Sequence, residues 1–155
     1  MQLEADIINL LTVLRFAHSP KERKFLREWL HTDELDQLFV GPGKISFAML
    51  TSAGNQDQVS AAVDILANTP YKIPLNEGLK AYTQSLLLSD IEMQLKRYRL
   101  KWMSRQIYQD SLGIGVLLGF VALKINEISN IRWMAQAINQ NFKAESIHQG
   151  LEYPE

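Results

Sequence analysis

Apolar residues recur at spacings of three and four positions along most of this chain, the period of an α-helix with one buried face. The first segment shows the pattern plainly, with Ile7, Leu10, Leu11 and Leu14 on one side. No segment alternates strictly between apolar and polar residues, as a half-buried strand would. The sequence therefore predicts an all-α fold of helices packed on helices.

Capping and turn residues divide the first half of the chain. Ser19 and Glu22 are predicted to form a capping box around Pro20, whose preset φ suits the first helical position. Thr32 is predicted to cap the next helix, and Gly41-Pro42-Gly43 to end it. Five short helices are thus expected, the first ending near Phe16 and the others covering residues 20–30, 33–40, 46–50 and 57–67.

The second half has longer helical patterns. Gly78 and Ser89-Asp90 are candidate kink points in the first of them, and Ser111 is predicted to cap the second. We expect a short-helix lobe over residues 1–72, and a long antiparallel helix pair with a short C-terminal helix over residues 73–155, together forming one compact unit. The helices predicted here cover residues 75–109, 112–141 and 145–151.

The most apolar part of the sequence is the run from Leu112 to Leu123. Twelve helical residues extend roughly 18 Å, against about 30 Å of bilayer hydrocarbon. The run is therefore predicted to be a buried helix and not a transmembrane segment. The acidic start, with Glu4 and Asp6, also differs from the basic start of a secretion signal.

Charge and cysteine content exclude several classes of function. Sixteen Lys and Arg nearly balance seventeen Asp and Glu, so the chain lacks the broad positive field typical of proteins that bind nucleic acid. The sequence has no cysteine, which excludes disulfides, thiolate metal sites and cysteine nucleophiles. This composition favours a cytoplasmic protein.

No motif predicts catalysis, a metal site or a cofactor. The three histidines, at positions 18, 31 and 148, are isolated in sequence and lack a second ligand at helical spacing. Gly113, Gly115 and Gly119 lie in an apolar run with no preceding strand, so they favour close helix packing over nucleotide binding. We therefore expect a non-enzymatic protein without a cofactor.

The densest basic stretch runs from Lys96 to Arg105 and includes two aromatic residues. It is either a solvated helix face, a surface for an acidic protein partner, or a phosphate-binding face. A helical adaptor or nucleic-acid-binding module using this face is the alternative function. The candidate partner interface consists of Arg97, Lys101, Trp102 and Arg105.

Polar residues follow directly after the apolar run. Lys124 and Glu127 are three positions apart and can pair on one helix face, with Asn130 three positions further on. Arg132 points elsewhere and needs a partner from another helix. These four residues are predicted to form a structural polar network that holds helices in place. Glu127 as a general base is the weaker interpretation, because no nucleophile or second titratable group lies nearby in sequence.

One short pattern occurs twice. Residues 6–10 and residues 127–131 share the order acid, Ile, any residue, Asn, aliphatic. An ancient duplication would leave such a pattern, and so would chance.

The segment over residues 123–135, which contains these polar residues, resembles the signature near the C-terminus of the C/d-subunit family of V-type and A-type rotary ATPases. Other parts are similar to the family in the same order. They are Glu4, Asp6, Asn9 and Arg15 on the first helix, the turn Gly41-Pro42-Gly43, the junction Thr69-Pro70-Tyr71 and the tail Glu145-Ser146-Ile147.

The resemblance implies an all-α subunit whose helical lobes form a funnel. Such a subunit seats the central stalk on the membrane proteolipid ring and transmits torque, without hydrolysing ATP itself. Its partners would be the stalk subunits and the ring, at the cytoplasmic face of the membrane, with no nucleic acid and no transmembrane segment. Family members are longer than 155 residues, so the chain is expected to correspond to the C-terminal part.

Overall fold

The structure is a computed structural model that describes residues 2–31, 35–109 and 113–153. The described residues contain eight α-helices and no strand, which confirms the all-α prediction. The helices are α1 (Gln2–His18), α2 (Pro20–Leu30), α3 (Phe47–Gly54), α4 (Val59–Ile65), α5 (Lys72–Ser85), α6 (Ser89–Gln109), α7 (Ile114–Asn139) and α8 (Ala144–Gln149). Two 3₁₀ turns, Leu35–Leu38 and Leu66–Asn68, complete the regular structure of these residues.

The chain divides into two compact units, Met1–Leu95 and Lys96–Glu155, so that the division lies within α6. The lobes proposed from the sequence, residues 1–72 and 73–155, stay a prediction.

The first unit is built around α1. Leu10, Val13 and Leu14 are almost completely buried, and the helix packs on α3 and α4. Each fully buried aliphatic side chain of this kind contributes about 1.5–3 kcal/mol. The helical period of the sequence correctly placed Ile7, Leu10 and Leu14 in the core, whereas Leu11, predicted on the same side, is half-buried, and Val13 was not part of the predicted stripe.

The start of α2 differs from the predicted capping box. Pro20 occupies the first helical position as expected, but Ser19 makes no side-chain cap hydrogen bond, and its carbonyl oxygen accepts from the Glu22 N–H at 3.1 Å. The helix buries no residue of its own. It is held instead by Arg23, whose guanidinium donates to the carbonyl oxygens of Gly54 and Gln56, each at 2.8 Å.

Two other predicted boundaries have clear outcomes. The helix predicted over residues 33–40 is a single 3₁₀ turn in its described part, and the capping residue proposed for it, Thr32, lies outside the described residues. The helix predicted over residues 46–50 is α3, which begins at Phe47 and continues to Gly54, and Ser46 caps it, since its hydroxyl oxygen accepts from the Met49 N–H at 3.4 Å.

The long helix predicted over residues 75–109 is two helices, α5 and α6. Leu86 ends α5 in the left-handed conformation, with φ of 59°. The break therefore lies just before the kink point proposed at Ser89-Asp90. Gly78 allows the two helices to approach, because a Cβ there would lie 2.7 Å from the Cα of Ile91.

In the second unit, the end of α6 and the start of α7 run antiparallel. Gly115 lies against Gln106 and Gly119 against Met103, where a Cβ on Gly119 would lie 2.9 Å from the Met103 carbonyl oxygen. The glycines of the apolar run therefore permit close helix packing, as expected. The proposed cap of α7, Ser111, lies outside the described residues.

The prediction that the apolar run is a buried helix is wrong for this chain. In the most apolar 18-residue window of α7, which has mean hydropathy 1.5, only 6% of the residues are buried. The reason is that apolar residues surround this helix, whereas α6 covers only its glycine side. The helix also continues beyond the twelve-residue run, and at 26 residues it is long and apolar enough, by length and composition alone, to cross a membrane.

Candidate functional site

A carboxylate is completely buried in the first unit. Asp6 of α1 has 0% exposure, and its two oxygens accept from the N–H of Lys44 at 3.0 and 2.9 Å. The N–H of Ile45 donates to the same carboxylate at 3.1 Å, and the hydroxyl of Tyr71 donates at 2.7 Å. A buried charge needs such donors, because it has lost its hydration. Asp6 thereby fixes the segment after Gly43 and the start of α5 to α1.

The residues around Asp6 are shaped to bring these donors close. A Cβ on Gly43 would overlap the Asp6 carboxylate, so only glycine fits there without a shift. The hydroxyl of Thr69 donates to the Leu66 carbonyl at 2.7 Å and accepts from the Tyr71 N–H at 3.3 Å. This turn positions the buried Tyr71 ring with its hydroxyl on Asp6.

Asn9 lies one helical turn after Asp6 and contacts the same loop. Its side-chain amide donates to the Val40 carbonyl at 2.7 Å and accepts from the Val40 N–H at 2.7 Å. We refer to Asp6, Asn9 and Tyr71, with the loop over residues 40–45 that they hold, as the Asp6 cluster. The sequence singles out these residues through the family resemblance and, for Asp6 and Asn9, through the repeated pattern. A physical signal was also present, since an acid and an amide stand three positions apart beside the apolar stripe of α1.

An amide of the second unit makes the same reciprocal contact. Asn130 of α7 donates to the Glu152 carbonyl at 2.8 Å and accepts from the Glu152 N–H at 3.1 Å. Asn126 donates to the same carbonyl at 2.8 Å, and the Trp133 indole N–H donates to the Ile147 carbonyl at 3.1 Å. These side chains of α7 hold α8 and the segment after it, and we refer to them as the Asn130 cluster.

The four residues of the predicted polar network occupy different places. Lys124 and Glu127 form an ion pair at 2.6 Å, with both side chains more than half exposed. Asn130 belongs to the Asn130 cluster, and Arg132 is exposed. Among the described residues, the structure therefore joins Lys124 to Glu127 but joins neither of them to Asn130 or Arg132. As one network, the set stays a prediction.

The candidate partner interface lies on the part of α6 that belongs to the second unit. Arg97 donates to the Gln149 carbonyl at 3.5 Å, and Lys101 is half-buried. Trp102 is 38% exposed and Arg105 is exposed. As a surface for a partner, these four residues stay a prediction.

The remaining polar candidates do not gather into a reactive site in the described ranges. His18 contacts the Tyr82 hydroxyl at 2.9 Å, and His31 and His148 are exposed. No group of three His, Asp or Glu side chains close enough to hold a metal ion occurs within the described residues.

The Asp6 cluster should dominate the stability of the first unit. In Asp6→Asn, the side chain loses its negative charge, and the NH₂ group of the new amide faces backbone N–H donors. We expect the free energy of unfolding to fall by about 2–4 kcal/mol. Urea denaturation measures it, with Asp64→Asn, an exposed position on α4, as the matched control. An equal and small effect of both substitutions would contradict this role.

The Asn130 cluster should hold the segment after α8. Asn130→Ala leaves the Glu152 N–H without its acceptor and leaves Asn126 as the side-chain donor to the Glu152 carbonyl, at a cost of about 1–2 kcal/mol. Hydrogen exchange of the Glu152 amide should become faster while exchange in the middle of α1 is unchanged. Asn139→Ala, at the exposed end of α7, is the control. Unchanged protection of Glu152 would show that other contacts hold this segment.

The sequence matches one described family over almost its full length. Residues 1–150 match the family of the ATP synthase (C/AC39) subunit. No curated protein and no solved structure matches the chain. The family match confirms the resemblance seen in residues 123–135 and includes both clusters. The chain therefore belongs to the ATP synthase (C/AC39) subunit family, whose members assemble with the other subunits of a rotary ATPase.

Proposed function

We propose that this chain is a non-catalytic rotor subunit that seats the central stalk of a rotary ATPase on the membrane proteolipid ring and transmits torque between them. It would do so at the cytoplasmic face of the membrane, as a peripheral protein without a cofactor. Membership of the ATP synthase (C/AC39) subunit family supports this proposal. The structural observation that carries it is the exposed apolar side of α7.

The exposed residues of α7 follow helical spacing. Ile114, Leu118, Val121, Ile125 and Ile128 are separated by four, three, four and three positions and are each more than half exposed. They form one stripe, which we call the α7 stripe. A continuous apolar stripe of this length is costly in water and is typical of a surface that another helix covers. A subunit between the stalk and the ring would have such a covered surface.

Torque transmission also requires that the subunit resist deformation. A loop that moved relative to its helix would take up rotation as local strain instead of passing it on. The Asp6 cluster fixes residues 40–45 to α1, and the Asn130 cluster fixes the segment after α8 to α7. Both contacts join segments that are distant in sequence, and each of them stiffens its own unit, which supports the proposed function.

The basic face on α6 is the second proposed contact. Arg97, Lys101, Trp102 and Arg105 would face acidic groups of the stalk or the ring, since positive and negative surfaces that meet at an interface favour correct assembly. Trp102 adds an aromatic surface between the charges, and aromatic residues and arginine are enriched at interfaces.

The α7 stripe should be required for assembly. The double substitution Leu118→Glu and Ile125→Glu places two charges where a partner helix would bury apolar side chains. We expect loss of co-purification with the stalk and ring subunits, while the helical content of the isolated chain is unchanged because both positions face water there.

Gln136→Glu introduces a charge at another exposed position of the same helix and is the control. Full assembly of the double variant would contradict a partner on the α7 stripe. Failure of the wild-type chain to co-purify with either the stalk or the ring would contradict the rotor function itself.

The basic face should also contribute to assembly, mainly through the association rate. Reversal of charge in Lys101→Glu with Arg105→Glu should slow association with the isolated stalk subunits about tenfold or more at low salt, and less at high salt. Stopped-flow or surface-binding kinetics at two ionic strengths measure this effect. The matched control is Lys21→Glu with Lys24→Glu on α2, where both lysines are exposed. Equal association rates for the two double variants would show that the basic face is not part of the interface.

A further inference from the structure

The repeated sequence pattern corresponds to a repeated contact. In residues 6–10 and 127–131, the asparagine of the pattern holds the N–H and the carbonyl of one distant residue, Val40 for Asn9 and Glu152 for Asn130. The reciprocal pair has the same form in both units, with donor–acceptor distances of 2.7 Å in the first and 2.8 and 3.1 Å in the second. The two segments are therefore alike in structure as well as in sequence.

The acid of the pattern behaves differently in the two units. Asp6 is buried and accepts from two successive backbone N–H groups, those of Lys44 and Ile45, and the Ile45 side chain is buried beside it. Glu127, at the matching position of α7, is more than half exposed and accepts from no backbone N–H of the described residues. Its ion-pair partner is Lys124, from the preceding turn of the same helix. Within residues 113–153, Glu127 therefore lacks the backbone donors that Asp6 has in the first unit.

A groove lies beside Glu127 in the second unit. It has a volume of about 460 Å³ and extends between α7 and the segment held by Asn130. Leu123, Ile131 and Met134 give it an apolar wall, and Glu127 and Tyr153 lie at its polar side. The groove therefore combines a carboxylate acceptor with an apolar surface, the same two features that hold Lys44 and Ile45 in the first unit.

We propose that this groove, which we call the Glu127 groove, binds an extended polypeptide segment of a partner subunit that presents two successive backbone N–H groups to Glu127 and an aliphatic side chain to the apolar wall. We assign the segment to a different subunit, because the matching segment of a second copy of this chain is already held by the Asp6 of that copy. Main-chain donors supply the affinity, and the aliphatic side chain selects the register, as in other complexes that bind extended segments. The choice of a subunit as the source rests on the proposed assembly function.

A peptide that copies the segment bound in the first unit tests the groove directly. Acetyl-Val-Gly-Pro-Gly-Lys-Ile-Ser-amide, the sequence of residues 40–46, is titrated into the ¹⁵N-labelled chain to about 10 mM, and amide shifts are followed. We expect saturable shifts of the Asn126 and Asn130 side-chain amides and of the Tyr153 backbone amide, with a Kd of about a millimolar or tighter. Absence of these shifts at the highest concentration overturns the proposal.

Two matched controls assign the binding to the proposed contacts. Glu127→Gln should weaken binding about tenfold, because donor bonds to a charged oxygen are roughly twice as strong as those to a neutral one. Glu145→Gln on α8, which is exposed and away from the groove lining, should leave binding unchanged. Methylation of the Lys and Ile nitrogens of the peptide should abolish binding, and equal binding of the methylated peptide overturns the proposal.

The same titration separates this inference from the rotor function. Peptide binding reports on the groove alone, whereas co-purification with the stalk and the ring reports on assembly. If the peptide binds and co-purification fails, the rotor function is wrong and the groove is retained. If co-purification succeeds and the peptide does not bind, the groove proposal is wrong and the rotor function is retained.

Discussion

The structure of the first unit depends on a carboxylate that has been taken out of water. A buried charge without partners would cost several kcal/mol, so the chain around Asp6 must supply donors in fixed places. It supplies two backbone N–H groups from the loop over residues 40–45 and one hydroxyl from Tyr71. Because these donors come from segments 38 to 65 residues away, satisfying one charge orders the loop, the turn at Thr69 and the start of α5 around α1.

The second unit uses a milder form of the same arrangement. Its amides on α7 are neutral and half-buried, and each hydrogen bond of this kind contributes only about 0.5–1.5 kcal/mol. Asn126, Asn130 and Trp133 still donate three hydrogen bonds to backbone carbonyls that follow α7. They can do so because they lie on one side of that helix, at spacings of four and three positions. The segment after α8 is therefore ordered by several weak bonds, where the first unit relies on one buried charge.

The sequence predicted the parts of the fold that depend on local chemistry. The helical period predicted α1 and part of its core, and Pro20 and Ser46 lie at the starts of helices that the sequence predicted. It did not predict the role of Arg23, because a guanidinium that caps a distant helix leaves no local pattern. The contacts of Asp6 were also not predicted, because the partners Lys44, Ile45 and Tyr71 reach Asp6 only in the tertiary structure. Lys124 and Glu127 form an ion pair at the predicted spacing. Asn130, three positions further on, bonds instead to the Glu152 backbone, because side chains three positions apart on a helix can contact different neighbours. Arg132 is exposed.

The exposure of α7 follows from how many helices the second unit has. A helix that is apolar all round needs neighbours on several sides, and α6 and α8 reach only part of its surface. The sequence predicted a buried helix here, because apolar residues are normally buried within their own chain. In a subunit of a larger complex that cover can come from other polypeptides, so the open apolar side of α7 supports the proposed assembly surface. The proposed Glu127 groove, on the same helix, adds to this apolar surface a carboxylate that can accept from main-chain N–H groups, so α7 offers both features that the proposed partner segment needs.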